Sequence, residues 1–115
     1  MNTIKIVDET ACVMFLDNEG NYNDSFFINQ YYFQLINRRQ KEGLKQALSK
    51  TDREFQELWL KDDDTLYLTF VSSEGKQLVD IIYNDGSREI RTALEVVEYM
   101  DNHEFNVLHD FLEVN

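Results

Sequence analysis

The sequence predicts an α+β domain: an antiparallel sheet, built from an N-terminal hairpin and a three-stranded meander over 65–92, packed by about four helices. The first observation behind this is the stretch TLYLTFVSSEGKQLVDIIYNDGSREIRT, where apolar and polar residues alternate between two Gly-containing turns. The second is a pair of short apolar runs, 3–7 and 11–16, set around Asp8-Glu9-Thr10 as a hairpin. The third is a set of segments with helical apolar spacing behind capping residues. With 115 residues, 43% hydrophobic content and 8 Phe, 6 Tyr and 1 Trp, the chain is expected to form one compact domain over 1–115.

In the meander, Asp85-Gly86 is a strong signal for a two-residue hairpin turn and Glu74-Gly75 a weaker one, since both central positions need φ > 0. Two-residue loops would set Phe70 opposite Val79, Leu68 opposite Ile81 and Leu66 opposite Tyr83. They would also set Ile81 opposite Ile90 and Asp80 opposite Arg91, with an ion pair across the last. One face would then read Leu66, Leu68, Phe70, Val79, Ile81, Tyr83 and Ile90.

Upstream, 17–21 reads as a loop. Segment 25–42 fits a helical stripe (Phe27, Ile28, Tyr31, Leu35, Ile36) behind a Ser25 cap, with Gly43 at its end. Its aromatic richness also suits a strand; its length and lack of a turn signal favour the helix. Thr51-Asp52-Arg53-Glu54 has the form of a capping box and predicts a helix from about 52. Thr92-Ala93-Leu94-Glu95 repeats that pattern and predicts a helix to about 100. A last helix would bury Phe105, Leu108, Phe111 and Leu112. Whether the two hairpins share one sheet is not set by the sequence.

Charge is the most uneven property. The chain holds 22 acids and 11 bases, net −11; residues 1–50 carry six of each, so residues 51–115 carry sixteen acids against five bases. No apolar run approaches the length of a membrane span and no leader precedes the first strand, so a cytoplasmic location in a bacterial cell, off the membrane, is expected. The single Cys12 excludes an internal disulfide and sits in an apolar alternation, as a buried thiol would.

No constellation points to catalysis, and the expectation is a protein that is not an enzyme and carries no cofactor or metal. His103 and His109 are six apart, about 240° around a helix, where a zinc protease motif needs a spacing of four. The 17–28 segment places Gly20 fourth and Ile28 twelfth, where a calcium loop needs Gly sixth and Glu twelfth. The basic group Arg38, Arg39, Lys41, Lys45 and Lys50 reads as a solvated helix end. A net charge of −11 argues against direct nucleic-acid binding.

The acidic half carries the functional expectation. On a helix from 93, Glu95, Glu98 and Asp101 fall at i, i+3, i+6, a like-charged stripe that gains no stabilising pair. Asp62, Asp63, Asp64, Glu104, Asp110 and Glu113 extend the field, and these nine carboxylates are the candidate partner-binding residues. Spaced carboxylates offer a basic groove much of what a phosphate backbone offers, and they steer association.

In length, in its single cysteine and in the acidic runs Lys61-Asp62-Asp63-Asp64 and Glu95–Glu113, the chain resembles the small acidic anti-CRISPR proteins of phages and plasmids. That class has no shared motif, so no residue role carries over by match. The resemblance implies a stoichiometric inhibitor whose acidic surface occupies a basic nucleic-acid-binding groove. It would block guide-RNA or DNA loading of an RNA-guided nuclease. Two other readings compete: a bacterial immunity protein neutralising a basic toxin nuclease, and a cytosolic protein-interaction domain with incidental acidity. A second copy of the chain is a further candidate partner, as a homodimer in which the basic group meets the acidic half.

Overall fold

The computed structural model of the chain describes residues 3–62, 64–101 and 104–113, with the backbone alone for 98–101. The strands are β1 (Thr3–Val7), β2 (Cys12–Leu16), β3 (Tyr22–Phe27), β4 (Arg53–Lys61), β5 (Leu66–Ser72), β6 (Gln77–Ile82), β7 (Arg88–Thr92) and β8 (Phe105–Asp110). The α-helices are α1 (Gln30–Gln34), α2 (Arg38–Leu48) and α3 (Ala93–Asp101). The architecture is mixed α/β with two antiparallel sheets, a three-stranded one in the order β1-β2-β3 and a five-stranded one in the order β7-β6-β5-β4-β8. The hairpin and the meander therefore belong to different sheets. Three α-helices, rather than four, stand among the described residues.

The meander strands form where expected but in a different register. Each turn is a three-residue loop: the Ser72 N–H donates to the Lys76 carbonyl at 2.9 Å, and the Tyr83 N–H to the Ser87 carbonyl at 2.9 Å. Gly75 and Gly86 close these loops at φ +82° and +88°, the left-handed position that a type I turn followed by a bulge requires. One extra loop residue slides the partner strand by one. Leu66 pairs with Ile82, Leu68 with Asp80 and Phe70 with Leu78; Asp80 pairs with Ile90 and Val79 with Arg91. The single apolar face predicted for the meander is thereby split. Leu66, Leu68 and Ile82 join Leu58, Leu60, Ile4, Val13, Phe26, Leu44 and Leu48 in the larger core. Tyr67, Val79 and Ile81 join Val96 of α3, with Trp59 and Phe105 beside them, in a smaller core on the opposite face.

Asp80 does not pair with Arg91. It points into the larger-core face, fully buried, and accepts from Arg53 Nη1 at 2.9 Å and from Arg88 Nη2 at 2.7 Å. The Arg53 guanidinium also lies 3.8 Å from the centre of the Phe70 ring. Arg91 bonds Glu89 instead.

Two predicted helices are strands. The segment from 52 is β4, pairing with β5 on one side and β8 on the other, and the segment carrying Phe105 and Leu108 is β8. The ambiguous 25–42 stretch divides. Its start completes β3, and α2 begins only at Arg38, capped by Asn37 and Gln40, whose side chains bond each other's backbone N–H. Gly43 lies inside α2, buried, and does not end it. The helix predicted behind Thr92 is present as α3, and Thr92 Oγ1 accepts from the Glu95 N–H at 3.3 Å.

The layers follow. The five-stranded sheet is covered on one face by α2 and the three-stranded sheet, and on the other by α3. Among the described residues, no helix is long and apolar enough to cross a membrane.

Candidate partner-binding surface

Strand β8 places the predicted carboxylates in two separate groups. At its start, Lys61 and Phe105 are partners and the Asp62 N–H donates to the Glu104 carbonyl at 3.1 Å, so Asp62 and Glu104 lie side by side. Asp64 closes the same turn at φ 65°, its N–H donating to the Lys61 carbonyl at 2.9 Å. Its own carbonyl accepts from the buried Gln40 amide of α2, which ties the acidic turn to the helix carrying Arg38 and Arg39. Asp63 lies outside the described residues.

Six residues on, about 20 Å at the rise of a strand, stands the second group. Asp110 is the direct cross-strand partner of Glu57, and Glu113 follows in the turn after β8. Burial and the facing Asp110 carboxylate push the Glu57 carboxyl above its ordinary range. Like charges set directly opposite on a sheet oppose folding. His109, stacked 4.2 Å from Phe26, is pushed down by burial, against the opposing fields of Asp110, Asp24 and Glu113.

Glu95 is exposed on α3, away from both groups in sequence and on the other layer. Glu98 and Asp101 are in the same helix, and their side chains lie outside what the structure describes. The predicted carboxylates whose side chains are described thus do not form one continuous field. Asp62, Asp64 and Glu104 are brought together, Asp110 and Glu113 are brought together elsewhere, and Glu95 stands on a third element.

Sequence reasoning missed Glu57 and Asp24. The capping-box pattern puts Glu57 on a helix, where it faces no strand partner. Asp24 enters only because the end of β3 packs against β8 of the other sheet, a non-local contact marked by the Phe26–His109 stack and felt at His109.

The basic group on α2 is partly neutralised within the chain. Lys41 Nζ is 3.1 Å from Asp8 and Lys45 Nζ 3.3 Å from Glu42, while Arg38 and Arg39 are exposed. Comparison with family models, with curated proteins and with solved structures finds no match for the chain.

Proposed function

We propose that the chain is a non-catalytic, stoichiometric protein inhibitor that places the carboxylates flanking β8 in the basic nucleic-acid-binding groove of a partner. An RNA-guided nuclease in the cytoplasm of a bacterial host, blocked from loading guide RNA or DNA, is the partner class proposed. The supporting observation is the Glu57–Asp110 pair, two carboxylates held facing each other at a cost to folding. A cationic groove relieves that repulsion on binding and so gains more than it would from isolated surface acids. The acids at Asp62 and Glu104, about 20 Å along the same strand, provide a second contact for a groove that normally tracks a phosphate backbone.

The test is capture of partners from host lysate by the purified protein, followed by two charge-reversal variants. One combines Glu57→Lys with Asp110→Lys, the other Asp62→Lys with Glu104→Lys. Binding that weakens at least about tenfold in one variant, and falls steeply as salt rises, is expected. Binding indifferent to salt and intact in both variants would sink the proposal. Capture of a small basic toxin domain in place of a guide-RNA nuclease would assign the same surface to an immunity protein.

A further inference from the structure

The five bases of residues 51–115 are not scattered among the sixteen acids around them. Arg53 and Arg88 are committed to Asp80, and Lys76 lies in the β5–β6 turn, 3.9 Å from Glu74. The other two, Lys61 and Arg91, are also engaged within the chain, and both line one cavity of about 300 Å³ between α3 and the five-stranded sheet. Its floor is apolar, with Tyr67 4%, Ile81 3% and Val96 4% exposed, and Lys61 itself is only 4% exposed. The volume is at the small end of the range for ligand sites, and a few polar groups converging over an apolar floor is their usual composition.

The polar groups divide into donors and acceptors. Arg91 uses Nε and Nη2 on Glu89 Oε1, at 3.0 and 2.9 Å, which fixes the guanidinium plane and leaves Nη1 without a bonded partner among the described residues. Tyr83 Oη donates to the other oxygen of Glu89 at 2.6 Å, so within the cavity that hydroxyl can only accept. Glu95, on the α3 side, also accepts. Cations therefore stand at Lys61 and Arg91, and acceptors at Tyr83 and Glu95.

We propose that this cavity binds a small organic carboxylate with an apolar, ring-sized body and one O–H or N–H donor. The carboxylate sits between Lys61 and Arg91, the body lies on Tyr67, Ile81 and Val96, and the donor reaches Tyr83 or Glu95. The site is independent of the acidic surface proposed above. A ligand there would bridge α3 to β4, β5, β6 and β7, and would fix the helix that carries Glu95.

An amide-resolved NMR titration with para-hydroxyphenylacetate tests this, with phenylacetate (no donor) and tyrosol (no carboxylate) beside it. Saturable shifts at Tyr67, Ile81, Arg91 and Val96 are expected, with tyrosol weaker by about tenfold or more, because a site built for a charged group leaves its donors unpaired without it. Phenylacetate should fall between the two. Arg91→Gln should weaken the acid about tenfold. Val96→Trp, which fills the cavity without changing charge, should abolish binding in a folded protein. Tyrosol binding as tightly as the acid, binding that survives Val96→Trp, or no saturation by about 10 mM, tenfold weaker than a millimolar site, would each overturn the proposal.

Discussion

Asp80 is a carboxylate at the centre of a sheet face that otherwise buries leucines, and two arginines from different strands converge on it. Replacing Asp80 with Asn leaves both guanidiniums without a counter-charge in a buried place. Breaking a buried ion pair from one side costs about 3–5 kcal/mol, so D80N should shift the urea midpoint strongly downward. The sequence pattern puts Asp80 on the polar face opposite Arg91, and the error comes from one loop residue. Glu57 illustrates the opposite situation, a charge the fold works against. Its folded pKa is raised, so the native state holds that proton more tightly than the unfolded chain does. Its relative contribution to stability is fully present below the unfolded pKa, near 4.5, and is lost as pH rises through the folded value. Glu57→Gln should therefore raise the thermal midpoint at pH 7, with the gain shrinking toward zero as pH falls to about 4. A gain that does not vary with pH would show that repulsion from Asp110 is not its source.

Helix α2 rests on the β6–β7 hairpin through two glycines. A Cβ added to Gly43 would stand 2.8 Å from the Gly86 carbonyl oxygen and 2.8 Å from Ile82 Cγ2; one added to Gly86 would stand 2.7 Å from the Arg39 carbonyl oxygen. Asn37 Nδ2 fixes the same joint by donating to the Asn84 carbonyl at 2.8 Å. Alanine at Gly43 should cost about 1–3 kcal/mol despite its better helix propensity, because backbone cannot yield as a side-chain end can. Thermal unfolding of G43A checks this, and an unchanged midpoint would mean that the helix can lift off the turn. Two other elements show why the fold was only partly legible. In β4 an extra residue, Gln56, stands between Phe55 and Glu57, which pair with consecutive residues of β5. In β8, Leu108 is likewise extra, since Leu58 and Trp59 pair with His109 and Val107. Each irregularity turns a spacing of two into a spacing of three. Phe55 to Leu58, and Leu108 to Phe111, each pair on the larger-core face, then imitate helical stripes, and Phe105 on the opposite face extends the second by its spacing alone. Where strands are unbroken, as in β1, β2, β5 and β6, alternation located them correctly, and so did the cap at Thr92.

At the scale of the whole molecule, the acidic imbalance is visible in composition, but its geometry is not. Order along the chain makes the nine carboxylates look like flanks of the meander. The structure sends those it describes instead to two ends of an edge strand and to a helix on another layer. Helical periodicity places Asp110 and Glu113 on a helix, so no reading of the sequence could have set Glu57 against Asp110. The cavity beneath α3 is equally hidden. Lys61 and Arg91 are thirty residues apart and line one cavity only because β4 and β7 belong to one sheet, whose register the two-residue turns misplace by one.

The order of strands in that sheet also has a consequence in time. The strand beside β4 on its outer side is β8, and Trp59 meets Val107 only after the meander and α3 have been laid down between them. As the chain leaves the ribosome, β4 to β7 can pair as successive local hairpins with small closure entropies. The outer edge of β4, with Leu58 and Leu60, must wait for 105–110 to emerge. During that interval it is an unpaired, apolar strand edge, the feature most apt to recruit a neighbouring chain. Emergence of 105–110, which sets Asp110 opposite Glu57, and burial of that edge are therefore one event.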